Sequence, residues 1–196
     1  MLKEIFHYIY CMSIPSTITA VIVICSLWNW LCAESNRINK KQLWQSVNRI
    51  FFVIWFVCVL YMTIIIRGSV VKMNLIPFTF IVKAIKTGNE EFFRTGWMNV
   101  LLFIPGGMWL FYGTKRRTKA KQILQIIFLI FTSISIETVQ WYYQLGTVET
   151  DDVLCNTFGA IIGATSFIWA EKLVAWFTPY IVKLFNYIKH KINPDE

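Results

Sequence analysis

Six side chains able to do acid–base or hydrogen-bonding work fall in or beside the most apolar stretches of this chain. Glu137 and Gln140 stand three residues apart in "ISIETVQWYY", at the end of an apolar run that begins near Ile123. Asp152 and Asn156 open another such run, and Asn99 opens a third, in "NVLLFIPGG". Asn74 precedes Pro77 in "NLIPF". A carboxyl group inside a bilayer costs at least ~2.5–3.5 kcal/mol to ionise at the centre, so its presence there calls for a partner. Spaced i, i+3, Glu137 and Gln140 share one helix face. Asp152, Asn156, Gly159 and Gly163 form a second stripe if their helix starts by Asp152, and Gly159-x-x-x-Gly163 permits close helix contact. Glu137 and Asp152 are the candidate acid–base groups, because a carboxyl in an apolar site has a raised pKa suited to proton transfer. Asn74, Asn99, Gln140, Asn156 and Arg67 are the candidate binding groups. Read alone, Asp151 and Asp152 are also what a solvated loop or helix N-terminus carries.

The surrounding elements must be membrane helices. Of 196 residues, 56% are hydrophobic and 15% charged, against ~25% charged in a soluble domain. Runs long enough to span are Ile14–Ala33, Val47–Ile66, Trp97–Tyr112 (extended through Phe92 and Phe93), Ile123–Tyr143 and Leu154–Ala170. The fold class expected is an all-α polytopic helix bundle of about five spans, in one membrane domain over 1–196. Residues 73–85, interrupted by Asn74, Pro77 and Lys83, are too short to span and read as interfacial or re-entrant. Residues 173–192, broken by Pro179, read as an amphipathic C-terminal helix on the membrane surface. In the third span Pro105 leaves the Leu101 carbonyl without its helical donor, which predicts a kink and a neighbour to satisfy the freed backbone.

The net charge of +8 points to loops at an anionic leaflet. No nucleic-acid-binding stripe is present. Arg37, Lys40, Lys41 and Arg49 flank the first loop, and Lys115, Arg116, Arg117, Lys119 and Lys121 the third, whereas "QLGTVETDD" has no basic residue. The positive-inside rule then places the N-terminus outside and the C-terminus in the cytoplasm. The second loop, with Arg67, Lys72, Lys83, Lys86 and Arg94, is the exception. On this topology Asn74, Asn99, Glu137, Gln140, Asp152 and Asn156 all lie at the outer leaflet. The five cysteines, an odd number without metal-type spacing, read as apolar fillers. No cofactor or metal is implied. His7 and His190 stand at opposite ends of the chain, and no Ser/Cys–His nucleophile pair is present.

Four blocks in order, "NLIPF", "NVLLFIPGG", "ETVQ" and "ETDDVLCNTFGAIIG", resemble the VanZ-like family over roughly residues 60–170. The resemblance implies a small multi-pass bacterial membrane protein, in a family whose named member is associated with teicoplanin resistance. Matched by position, it carries over Asn74, Pro77, Phe78, Asn99, Phe103, Pro105, Gly107, Glu137, Gln140, Asp152, Asn156, Gly159 and Gly163. Many relatives place an arginine in the acidic loop; here that loop has none, and Arg67 or Arg94 would stand in. The expected function is protection of the bacterial envelope at the outer leaflet against glycopeptide and lipoglycopeptide antibiotics such as teicoplanin. The expected partners are membrane lipids and a lipid-linked envelope precursor or lipoglycopeptide. Three alternatives stand beside it: a membrane enzyme acting on a lipid-linked precursor through Glu137 and Asp152, a carrier, and a polar clasp that only holds the bundle together.

Overall fold

The computed structural model describes residues 13–37, 41–65, 68, 72–114 and 118–192. Arg67, His7, Cys11, Lys40 and residues 115–117 lie outside the described residues. The chain is a helix bundle: α1 (Ile14–Arg37), α2 (Lys41–Leu60, continued by one π-helical turn, Tyr61–Ile65), α3 (Thr79–Thr87), α4 (Glu90–Tyr112), α5 (Lys119–Tyr143) and α6 (Thr150–Ile192). Two three-residue strands, β1 (Lys72–Asn74) and β2 (Thr147–Glu149), pair in parallel with Asn74 opposite Glu149. The strands were not expected. Three residues give no period-2 signal, and their partners are more than seventy positions apart in sequence.

Among the described residues, four helices are long and apolar enough to cross a membrane: Pro15–Cys32, Lys41–Ile65, Lys119–Tyr143 and Thr150–Ala170. The remaining expected span, Trp97–Tyr112, lies in α4. That helix has 23 residues, about 34 Å at 1.5 Å per residue, which is a spanning length. Its composition is that of a central helix: from Gly96 to Gly113 no residue is exposed. Side chains that face other helices have no need to be lipid-like, so small residues and indole rings replace aliphatic ones.

The α4–α6 contact is the closest in the bundle. A Cβ on Gly159 would stand 2.1 Å from the Val100 carbonyl oxygen, and one on Gly163 2.0 Å from that of Ile104. From the other side, a Cβ on Gly107 would lie 2.3 Å from the Ala160 oxygen. Glycine is required at these positions because backbone meets backbone. Phe103 is fully buried, edge-on to Trp55 at 5.5 Å between centroids. Pro105 stands inside α4. Near it, the indole Nε1–H of Trp55 donates to the Leu102 carbonyl at 2.7 Å. That is one residue beyond the carbonyl singled out from sequence.

Residues 73–85 form β1, a turn through Pro77 and the nine-residue α3, which is too short to cross a bilayer. The C-terminal segment is helical, but Pro179 does not break it: α6 runs unbroken for 43 residues. Proline removes one hydrogen bond. Here the neighbouring side chains from Ala175 to Leu184 are exposed, and nothing packed against the turn is disturbed.

Candidate functional site

The end of the bundle that holds the β1–α3 loop, the start of α4, the end of α5 and the start of α6 brings together nearly every candidate residue. Asn99 Nδ2 donates to Asp152 Oδ1 at 2.5 Å, joining α4 to α6. Glu137 is 7% exposed, and its Oε2 accepts the Glu149 backbone N–H at 3.1 Å, joining α5 to β2. Gln140 is fully buried, and its Nε2 donates to the Thr63 carbonyl at 2.8 Å. Thr63 lies in the π-helical turn that ends α2. Asn156 Nδ2 donates to Ser133 Oγ at 2.9 Å, while its Oδ1 is buried without a hydrogen-bond partner among the described residues. Asn74 Nδ2 donates to Thr79 Oγ1 at 2.6 Å. The stripe Asp152–Asn156–Gly159–Gly163 exists because α6 begins at Thr150; its glycine end packs on α4 and its polar end closes the site. Arg67 lies outside the described residues, and Arg94 is half-buried in the first turns of α4.

The residue that sequence reasoning passed over is Asp151. It is 2% exposed, so the acidic pair is a helix N-terminus but not a solvated one. Its Oδ1 accepts the Phe78 N–H, and its Oδ2 accepts Thr79 Oγ1–H at 2.7 Å and the Phe80 N–H at 3.1 Å. The first N–H groups of any helix lack intrahelical acceptors. Phe78, the N-cap of α3, makes no side-chain capping bond and sits at φ 63°, in the left-handed region. Such a backbone costs ~1–2 kcal/mol for a residue with a Cβ. Bonds from a carboxylate to N–H and O–H donors are the strong class, worth ~1.5–3 kcal/mol each, and they offset that cost. Asp151 therefore caps α3 from another helix. The signal was in the sequence: an acidic pair at a helix start, and a short helix after Pro-Phe with no capping side chain of its own.

Each motif block is thus bonded to another. The "NLIPF" loop is held by Asp151 through Phe78 and pairs as β1 with Glu149, whose N–H is held by Glu137. Thr150 Oγ1 adds a bond to the Leu75 carbonyl at 3.2 Å. What this assembly presents at its tip is apolar: Leu75, Ile76 and Phe78 are 64, 69 and 55% exposed.

Polar groups are not confined to this end. Near the opposite end, Tyr112 donates its hydroxyl to Asn29 Oδ1, Asn29 Nδ2 reaches the Cys25 carbonyl at 2.6 Å and Ser166 Oγ at 3.3 Å, and Trp28 Nε1 donates to Asn48 Oδ1 at 2.9 Å. These are buried ties between helices. They left no sequence signal because single Asn or Ser residues in apolar helices commonly pair in this way.

The family model VanZ/LLP1 matches residues 49–171, which contain every bond of this site among the described residues. The chain is 32% identical over 92 residues to Protein VanZ of Enterococcus faecium, covering 47% of this chain and 50% of that relative. It thus spans about half the length of that curated relative. No solved structure matches the chain. The chain belongs to the VanZ/LLP1 family.

Proposed function

We propose that this membrane protein acts at the outer leaflet of a bacterial cell membrane and lowers susceptibility to glycopeptide and lipoglycopeptide antibiotics such as teicoplanin. The observation that carries the reading is the bonded assembly at one end of the bundle. Asp151 and Glu137 hold backbone N–H groups of Phe78, Phe80 and Glu149, and so tie an apolar loop tip to two membrane helices, α6 and α5. Family membership supports the antibiotic association. The exposed Leu75, Ile76 and Phe78 suit contact with lipid tails or with the acyl chain of a lipoglycopeptide at the membrane surface. In this reading Glu137, Asp151 and Asp152 serve as hydrogen-bond acceptors that set the loop's shape. Asn99, Gln140, Asn74 and Asn156 are the donors that complete it.

The test is expression of the full chain in a susceptible Gram-positive host, with susceptibility to teicoplanin and vancomycin measured against an empty vector. A protective shift larger for teicoplanin than for vancomycin is expected. An equal shift for both, or none at verified membrane abundance, counts against the reading.

A further inference from the structure

Two grooves meet on the α3–α4 side of the site. The deeper, about 410 Å³, is walled by Phe80, Phe93, Trp97 and Val100 with Leu154 and Phe158 of α6. That volume lies within the ~300–1,000 Å³ typical of ligand sites, and the wall is almost wholly apolar. The shallower groove, about 460 Å³, is lined by Ser13, Ile85, Asn89 and Arg94 among others, and shares Phe93 with the first. Among its lining residues Arg94 is the ionisable one.

The order along α4 is the informative feature. Asn89 and Arg94 lie at the helix start, and Phe93, Trp97 and Val100 follow on the way into the bundle. From Asn89 to Val100 is about 16 Å at 1.5 Å per residue, close to half of the ~30 Å hydrocarbon thickness. A mostly apolar mouth that carries Arg94, Asn89 and Ser13 therefore opens at the bundle's end, and an apolar slot continues from it to the depth of one leaflet. The α3–α4 hairpin carries Lys83, Lys86 and Arg94 against Glu90 and Glu91, one more basic residue than acidic.

We propose that the two grooves together hold one phospholipid with an anionic headgroup. Its phosphate lies at Arg94 and Asn89, and one acyl chain fills the slot between Phe93, Trp97 and Phe158. An anionic headgroup suits a mouth whose lining charge is a guanidinium, and a single chain suits a slot one leaflet deep. The slot borders the hydrogen-bonded cluster, since Phe78 and Phe80 line it and Asp151 holds their N–H groups, but lipid retention there does not depend on any action upon antibiotics.

The full chain in nanodiscs of equal phosphatidylglycerol and phosphatidylcholine, released into the gas phase for native mass spectrometry, reads the occupant directly. One retained phosphatidylglycerol per chain is expected, in at least fivefold excess over phosphatidylcholine. Leu154→Trp, which fills the slot from α6, should cut that retention at least fivefold. Arg94→Gln should remove the headgroup preference. Ser135→Trp, in the groove between α2 and α5, should change neither. Should Leu154→Trp fail to fold, the wild-type chain still decides. Phosphatidylglycerol carrying a diazirine near its chain end should cross-link to peptides containing residues 93–100 or 154–158. Equal retention of the two lipids together with cross-links elsewhere overturns the proposal. So does a dimer that excludes lipid from these residues.

Discussion

At the scale of single residues, the carboxyl groups at this site are acceptors with assigned donors. Asp151 is the clearest case, with two backbone N–H groups and one hydroxyl. Asp151→Ala removes three bonds and uncaps α3 while leaving Phe78 in its left-handed conformation. Loss of a single bond to a charged group costs ~1.5–3 kcal/mol, so the loop should detach before the bundle melts. The expected result is much faster hydrogen exchange at the Phe78 and Phe80 amides with α4 and α5 protection retained. Asp151→Asn, which keeps one acceptor, should fall between. Exchange unchanged in the Ala variant would show that the loop is held by other contacts. The residue types of this site were legible in the sequence because polar groups in apolar runs are costly and therefore noticeable. Their partners were not: Glu137 bonds a backbone N–H and Gln140 a backbone carbonyl, and every residue offers those groups.

At the scale of elements, close packing of α4 on α6 sets the position of Asn99 against Asp152. The two glycines do this by approach distance. Gly163→Leu would push a side chain into the Ile104 carbonyl, where no rotamer relieves the clash, and should cost about 3 kcal/mol, the upper end of overpacking penalties. Gly96 is a useful contrast. A Cβ there would meet the Phe80 ring at 2.8 Å, but a ring at the edge of a groove can swing aside. Gly96→Ala should therefore cost less than 1 kcal/mol on the same overpacking grounds. Thermal unfolding of the detergent-solubilised variants, with membrane abundance beside it, checks the ranking; the reverse order would show that α4 and α6 can separate freely. Trp55→Phe keeps the ring and loses the N–H to Leu102, a change worth ~1 kcal/mol for one hydrogen bond. The helices themselves were legible from apolar run length. The paired three-residue strands and the unbroken passage of α6 through Pro179 were not, because each depends on what the distant chain does nearby and not on local composition.

At the scale of the whole molecule, the basic loops and the apolar helices predict an orientation. The turn at Gln144 should face outward and Thr118 the cytoplasm. Cysteines introduced at these two exposed positions, in a chain whose own cysteines are replaced, should react differently with a membrane-impermeant thiol reagent. Gln144→Cys should label in intact cells and Thr118→Cys only after permeabilisation. The opposite pattern would turn the site toward the cytoplasm and remove the basis for action at the outer surface. Orientation is written in loop charge, and the second loop's cations oppose the pattern; the α3–α4 hairpin that carries most of them lies folded against α4 and is not a free loop.

Glu137 brings the scales together, since one side chain fixes β2, β2 pairs with the "NLIPF" loop, and that loop is the exposed apolar tip of this end of the bundle. The most direct measurement is teicoplanin susceptibility of a host expressing wild type, Glu137→Gln and Glu137→Leu at matched membrane abundance. Gln retains an acceptor for the Glu149 N–H and should keep most of the protective shift, whereas Leu should lose it. A Gln variant as unprotective as Leu, at equal abundance and with unchanged exchange at Glu149, would contradict a contact role and require Glu137 to move a proton.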